Sequence, residues 1–360
     1  MKCRRAVLTV CMLVALAACG NKPAPLTQQE KQTVNELTAN LKTRCVGRYL
    51  VDMPEGMYVS GYAKIQGVDI ETKAMSGDAY QREIEKREAE LKATRSALGY
   101  QFLYQDGEAW GKGTRYFVHL GNPADPSDAA RVIEAYKWDH NYQIRLTIEA
   151  SDYTHSVFKD EPSIKQMTVK NNVPEKTRLV FGLLEKVRGR ADDEIPTEPG
   201  LCFYGGFLPA KAGSEEEVST QYVLNDRKDI RFNIESTPDL RDSTTLLQHA
   251  DSPEARAALK AMDAKVIRKG TVELAGMKAE EWLFEGLKPG DGRGDSFSLR
   301  ANEITSSPSS PFLSMDLTTG GQVQIQDQYV KLDRASLTTG EAVALWDAVS
   351  RTLRPRPNGY

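Results

Sequence analysis

The sequence predicts an α+β protein of two similar domains, each an antiparallel β-sheet backed by helices, and three observations carry that prediction. Its 360 residues exceed one typical core. Strand-like and helix-like stretches follow one another in the same order twice along the chain. Between Gly189 and Gly200 the apolar periodicity stops, while Asp192, Asp193, Glu194, Pro196, Glu198 and Pro199 accumulate. The expected plan is an N-terminal domain over 27–190, a linker over 191–200 and a C-terminal domain over 201–360, related by internal duplication.

The chain starts with a positive segment, Lys2, Arg4 and Arg5, and an apolar run over 6–18 too short for a permanent membrane span. Residues 1–18 therefore read as a cleaved signal peptide. Leu16, Ala17, Ala18 and Cys19 form a lipobox, in which small residues admit a peptidase before Cys19. The Cys19 thiol would then carry lipid and its freed amine an acyl chain. Several acyl chains anchor stably, at about 0.8 kcal/mol per buried CH₂. The alternative is an ordinary signal ending at Ala-x-Ala with Cys19 incidental. Gly20 and Asn21 follow, with no Asp beside the cysteine to signal inner-membrane retention. The expected location is the periplasm, anchored to the outer membrane, with 19–26 as a Pro-containing tether.

Loss of residues 1–18 removes three basic and no acidic side chains, leaving 44 basic against 50 acidic and a net charge of −6. That balance argues against nucleic acid and against docking on anionic lipid through a basic patch. Cys3 and Cys11 leave with the signal and Cys19 is lipidated, so Cys45 and Cys202 remain. In an oxidising compartment two thiols suggest one disulfide, the alternative being two separately buried cysteines.

Along the body, Val34, Leu37 and Leu41 lie at helical spacing, predicting a helix within 27–43. Residues 45–51 read as a strand and 57–70 as a hairpin interrupted at Gly67. A helix capped by Ser76 or Asp78 carries Tyr80, Ile84, Leu91 and Leu98 and stops at Gly99, with Glu83–Arg87 and Glu88–Lys92 at i, i+4. Tyr142, Ile144, Leu146 and Ile148 alternate with polar residues in a half-buried strand that pairs with 131–138 across His140 and Asn141. Leu179, Val180, Leu183, Leu184 and Val187 make a helix, with Asn172 and Glu175 at capping-box spacing. The second unit repeats this plan. Residues 202–208 open as a strand, Ile230, Phe232 and Ile234 alternate, and 239–263 is helical with a break at Pro253. Two strands lie around Gly276, and 312–317 is expected to form a hairpin with 322–326. Ala342, Leu345, Trp346, Val349 and Leu353 close the chain as a helix with Thr338 and Glu341 as capping box. Both units end in basic residues, Arg188 with Arg190 and Arg354 with Arg356. Two such modules on a short linker suggest a clamp, with a groove or two lobes offered to one partner.

Catalytic signatures are missing. No G-x-S-x-G elbow occurs, and Ser76 sits where a helix needs a cap. His119, His140, His155 and His249 have no zinc spacing and read as turn or surface residues. Asp192 and Asp193 read as linker solvation. Gly290, Gly292 and Gly294 lack the Gly-Lys-Ser/Thr ending of a phosphate loop, and Arg293-Gly294-Asp295 reads as a loop between strands. Residues 288–296 and 306–311 are the expected exposed loops, and Trp110, Trp138, Trp282 and Trp346 the expected core tryptophans. The chain is read as a non-enzyme without metal or cofactor.

Three stretches carry a family resemblance: Cys45-Val46-Gly47-Arg48-Tyr49-Leu50-Val51-Asp52-Met53-Pro54, Pro199-Gly200-Leu201-Cys202-Phe203-Tyr204-Gly205-Gly206-Phe207 and Arg354-Pro355-Arg356-Pro357-Asn358-Gly359. With them the chain resembles the periplasmic immunity lipoproteins that neutralise class-four lipase effectors of the type VI secretion system. The resemblance covers both domains. It implies a lipase inhibitor that grips its effector through both domains and blocks the substrate entrance or the lid, so that phospholipid cannot reach the catalytic serine. The competing reading is a structural or assembly lipoprotein of the outer membrane.

Overall fold

The computed structural model describes residues 25–111, 113–289, 292–325 and 328–360. The signal peptide, Cys19 and the tether up to residue 24 lie outside the described residues, as does Gly290 of the glycine stretch.

Helix α1 (Gln28–Thr38) starts on a capping box between Thr27 and Glu30. A tight hairpin follows, β1 (Lys42–Val46) and β2 (Tyr49–Met53), then a second, β3 (Met57–Ile65) and β4 (Val68–Ala74). Their turn is made by Gln66 and Gly67, both in the left-handed region at φ 51° and 76°, which suits the twist of a two-residue hairpin. Helix α2 (Gly77–Ala93), capped by Ser76, leads into a meander: β5 (Leu103–Gly107), β6 (Thr114–His119), β7 (Ala130–Asp139) and β8 (Tyr142–Ser151). A single turn α3 (Pro162–Lys165), helix α4 (Val173–Lys186) and the short β9 (Arg188–Gly189) end the first half. The second half repeats the order with β10 (Leu201–Phe203), β11 (Gly206–Leu208), β12 (Glu216–Leu224), β13 (Arg231–Thr237), α5 (Leu246–Ala250) and α6 (Pro253–Ala261). Its meander is β14 (Lys265–Leu274), β15 (Met277–Leu287), β16 (Arg293–Ala301) and β17 (Phe312–Thr318). A small hairpin, β18 (Gln322–Ile325) and β19 (Gln328–Lys331), precedes α7 (Thr339–Ser350) and β20 (Arg354–Pro355).

The fold is α+β with two similar halves, and the halves share one sheet. Its order is β14-β15-β16-β17-β13-β12-β3-β4-β8-β7-β6-β5, which reads identically outward from the centre in both directions. The centre is the antiparallel pair β3–β12, in register from Met57↔Leu224 to Ile65↔Glu216, with Gly61 opposite Thr220 at the pseudo-two-fold. A Cβ on Gly61 would lie 2.4 Å from the Ser219 carbonyl oxygen, so only glycine allows this approach. The clamp expected of two modules on a linker gives way to this geometry, because the backbone ladder fuses the halves into one twelve-stranded sheet. One face of that sheet holds a single apolar core drawn from both halves, including Val180 and Leu184 of α4 and Leu345, Trp346 and Val349 of α7.

Closing strands are exchanged between halves. β20 pairs with β2 of the first half, and β9 pairs with β11 of the second. The two opening hairpins also touch: Gly47 and Cys202 exchange backbone hydrogen bonds of 2.7 and 2.8 Å, and Cys45 is joined to Cys202 with Cα atoms 5.7 Å apart. Stretch 191–200 is held by two buried guanidiniums. Arg190 donates to the carbonyls of Cys45, Phe203, Gly206 and Glu194, and Arg356 to those of Pro196, Glu198 and Gly200. Asp192 is not a solvating charge; it pairs with Arg44 at 3.0 Å.

Other local expectations change for identifiable reasons. Residues 45–51 and 202–208 are hairpins, because Gly47 and Gly205, at φ 59° and 65°, reverse the chain. Helix α2 ends at Ala93, leaving Leu98 57% exposed. Arg87 turns inward to Glu134 instead of pairing with Glu83. No capping bond forms at Asn172, whose Oδ1 accepts from the Ser151 amide. β17 finds its partners in β13 and β16, while β18 pairs with β19, so the 312–326 hairpin does not form. Arg293, Gly294 and Asp295 open strand β16, and Asp295 is buried.

Candidate functional site

The second face of the sheet is covered only at its two ends. Side chains alternate along each strand, so Phe117 and Tyr136 point away from the main core and receive Tyr80, Ile84 and Leu91 of α2. In the other half Trp282 receives Leu246, Ala250 and Ala255 of α5 and α6, with Phe284 packed against them. Both helical layers lie opposite the main core, hence on the same face. Between them the central strands form the floor of an open groove.

The wall made by α2 is fixed by a buried carboxylate. Glu134 of β7, 1% exposed, accepts from Arg87 Nε and Nη2 at 3.0 and 2.8 Å, from Arg145 Nη2 at 2.8 Å and from the Tyr136 hydroxyl at 2.7 Å. Burial pushes its carboxyl up, but the neighbouring His119 imidazole, the hydrogen bonds from Arg87 and Tyr136 and the charge of Arg145 outweigh it and hold Glu134 well below the carboxylate range. His119 is thus a buried structural group with Nε2 3.3 Å from Glu134, not a surface residue. A cleft of about 780 Å³ runs beside this wall, lined by Tyr62, Lys73, Lys86, Arg87 and Arg145 among others.

The floor carries two exposed aromatics on β3, Tyr58 at 61% and Tyr62 at 42%. The Tyr62 hydroxyl donates to Glu217 at 2.7 Å, and that bond, with some burial, pushes it up to about 12. Glu235 of β13 stands opposite Ser219 and Ser314, and Asp316 of β17 opposite Asn233 and Ser298. Burial raises both carboxyls, and the charges of Glu217 and Asp316 raise Glu235 further.

The residues singled out from sequence fall elsewhere. Cys45 and Cys202 lie in the two opening hairpins, buried in a small apolar cluster with Leu50 and Phe207. Of 306–311 only 307–310 is exposed or partly so, because Ser306 is buried with its hydroxyl bonded to the Thr237 and Pro238 carbonyls. Lys288 folds back onto Ser296 and the Asp295 carbonyl. Ser76 caps α2. Trp346 and Trp282 are core residues, but Trp110 and Trp138 are each 39% exposed, the indole of Trp138 donating to the Met75 carbonyl. Among the described residues no group of three His, Cys, Asp or Glu side chains is arranged to hold a metal ion, and no helix is long and apolar enough to cross a membrane. Sequence reasoning missed Tyr58, Tyr62, Glu235 and Asp316. The alternation of Tyr58, Ser60, Tyr62 and Lys64 was the available signal, and it reads equally as a solvated strand face.

A fused, pseudo-symmetric α+β scaffold offers one continuous surface built from both halves. The chain belongs to the Tle cognate immunity protein 4 family: the family's N-terminal domain matches residues 42–190 and its C-terminal domain residues 194–358. Solved structures share the fold. The apo immunity protein TplEi of the T6SS from Pseudomonas aeruginosa is 18% identical, with 89% of this chain and 98% of that one covered and a TM-score of 0.65. A chain of the Tle4–Tli4 complex is 19% identical, with 89% and 99% covered and a TM-score of 0.66. TplEi in complex with the "L" peptide is 18% identical over 89% and 99%, with a TM-score of 0.62. No curated protein sequence matches.

Proposed function

We propose that this protein is a periplasmic immunity lipoprotein that binds a type VI secreted lipase effector of the Tle4 class through both halves and blocks substrate access to its active site. The observation that carries this reading is the match of both family domains over nearly the whole body, with the groove built jointly by the two matched regions. Inhibition by occlusion requires no chemistry of the inhibitor. A lipid on Cys19 would hold it at the membrane under attack and raise its local concentration there. The exchanged strands and a Cys45–Cys202 disulfide keep both halves in one register, so a partner meets a preorganised surface and little binding energy is spent on ordering.

The test is a titration of the mature chain against its cognate lipase with phospholipase activity read throughout. Activity falling to zero near equimolar ratio is expected; undiminished activity with no binding overturns the proposal. Labelling with radioactive palmitate should mark the protein and lose the mark in Cys19→Ser. Non-reducing peptide mapping should recover Cys45 linked to Cys202.

A further inference from the structure

The groove floor is uneven in charge. On its second half Glu217, Glu235 and Asp316 stand on the adjacent strands β12, β13 and β17. None of the three forms an ion pair among the described residues; Arg300, whose charge reaches Glu235 and Asp316, leans instead toward Asp242 at 3.9 Å. Their hydrogen bonds come from neutral hydroxyls, Tyr62 to Glu217 at 2.7 Å and Ser298 to Asp316 at 2.5 Å. Like charges held together and partly desolvated destabilise the free fold. Elsewhere this protein compensates such groups: Glu134 has two arginines and Glu281 has Arg268 and Arg351. On the groove floor three carboxylates on adjacent strands have no ion-pair partner among the described residues, since Lys64, opposite Glu217, turns to Asp69 at 3.3 Å, and they stand next to the two exposed aromatics, Tyr58 and Tyr62.

Resting on the function proposed above, we infer that this acidic bank receives a Lys- or Arg-bearing segment of the effector, with Tyr58 and Tyr62 as aromatic anchors at its edge. The chemistry is complementary on both counts. Carboxylates accept charge-assisted hydrogen bonds from the incoming cations, and tyrosine supplies rigid contact area together with a face for cation–π contact. Complementary charge also steers the encounter, which makes the association rate fall with salt.

Binding of the cognate lipase to the mature chain, measured at low and high salt, tests this. Glu235→Gln combined with Asp316→Asn should weaken affinity at least tenfold and flatten the salt dependence, while raising the melting temperature of the free protein. Tyr58→Ala with Tyr62→Ala should also weaken affinity at least tenfold. Glu273→Gln, which removes one carboxylate from the exposed edge strand β14, should leave affinity unchanged. Wild-type binding with unaltered affinity and salt slope in the Glu235/Asp316 variant overturns the inference and leaves the immunity function standing. Failure of the wild-type chain to bind the lipase overturns both.

Discussion

The two halves share one topology and solve the same problem differently, as their outer helical layers show. Over the first half, the apolar seat of α2 on Phe117 and Tyr136 is joined by a buried charge: Arg87 reaches through to Glu134, which Arg145 and Tyr136 complete. Over the second, α5 and α6 rest on Trp282 and Phe284, whose rings lie 5.0 Å apart. On the core face the assignment reverses. There α4 packs with Val180, Leu183 and Leu184, while α7 lies over Glu281, which accepts from Arg351 and from the Trp346 indole at 2.9 and 3.2 Å. A duplicated backbone therefore does not fix which face carries the buried charge. It fixes only that each helix needs an anchor, and that anchor can be ionic or aromatic.

Removing the two outer anchors breaks the comparison most severely. Glu134→Gln should cost about 3–5 kcal/mol, since it removes the buried charge that Arg87, Arg145 and Tyr136 share, and Trp282→Ala about 3–5 kcal/mol through lost packing. Their pH dependence separates them. Glu134 is depressed in the folded state, so its stabilisation is present above the unfolded carboxyl value of 4.5 and is lost as pH falls below it toward the folded value. Denaturant melts at pH 7 and pH 3 should show the Glu134→Gln deficit shrinking, and the Trp282→Ala deficit unchanged.

Joining the halves has a comparable weight but no side. Cys45→Ser with Cys202→Ser opens a link across 157 residues and should cost roughly 2–5 kcal/mol. Because the sheet is continuous through Gly61 and Thr220, calorimetry should still show one cooperative transition; two separated transitions would mean that the halves are independent domains. Smallest are the caps. Ser76→Ala at α2 and Ser252→Ala at α6 should each cost about 1 kcal/mol, from the loss of one side-chain bond to an otherwise unpaired amide.

Local elements were legible because their causes are local. The Gln66–Gly67 and His140–Asn141 turns, the Ser76 cap and the Thr338–Glu341 capping box depend on residues within four positions of each other. Strand β16 was not, since it opens with the turn-like Arg293-Gly294-Asp295 and buries Phe297 and Leu299 only once it is paired on both sides, with β15 and β17. The exchange of β9 and β20 was equally hidden, because two-residue strands have no period to read. The family resemblance rested on the hairpin and tail segments that meet there. A groove between the halves was expected, but its residues were illegible: they look like any solvated strand face until the sheet is closed and the helices are seen to stop short of the middle.

The central claim is that an effector is held in that groove, and hydroxyl-radical footprinting of Tyr58 and Tyr62 addresses it directly. Both side chains are open in the free protein. In an equimolar, fully inhibited complex with the cognate lipase both should become resistant to oxidation, while Tyr329, 72% exposed on the separate β18–β19 hairpin, keeps its reactivity. Full inhibition with Tyr58 and Tyr62 oxidised as fast as in the free protein would contradict the account and place the inhibitory surface elsewhere.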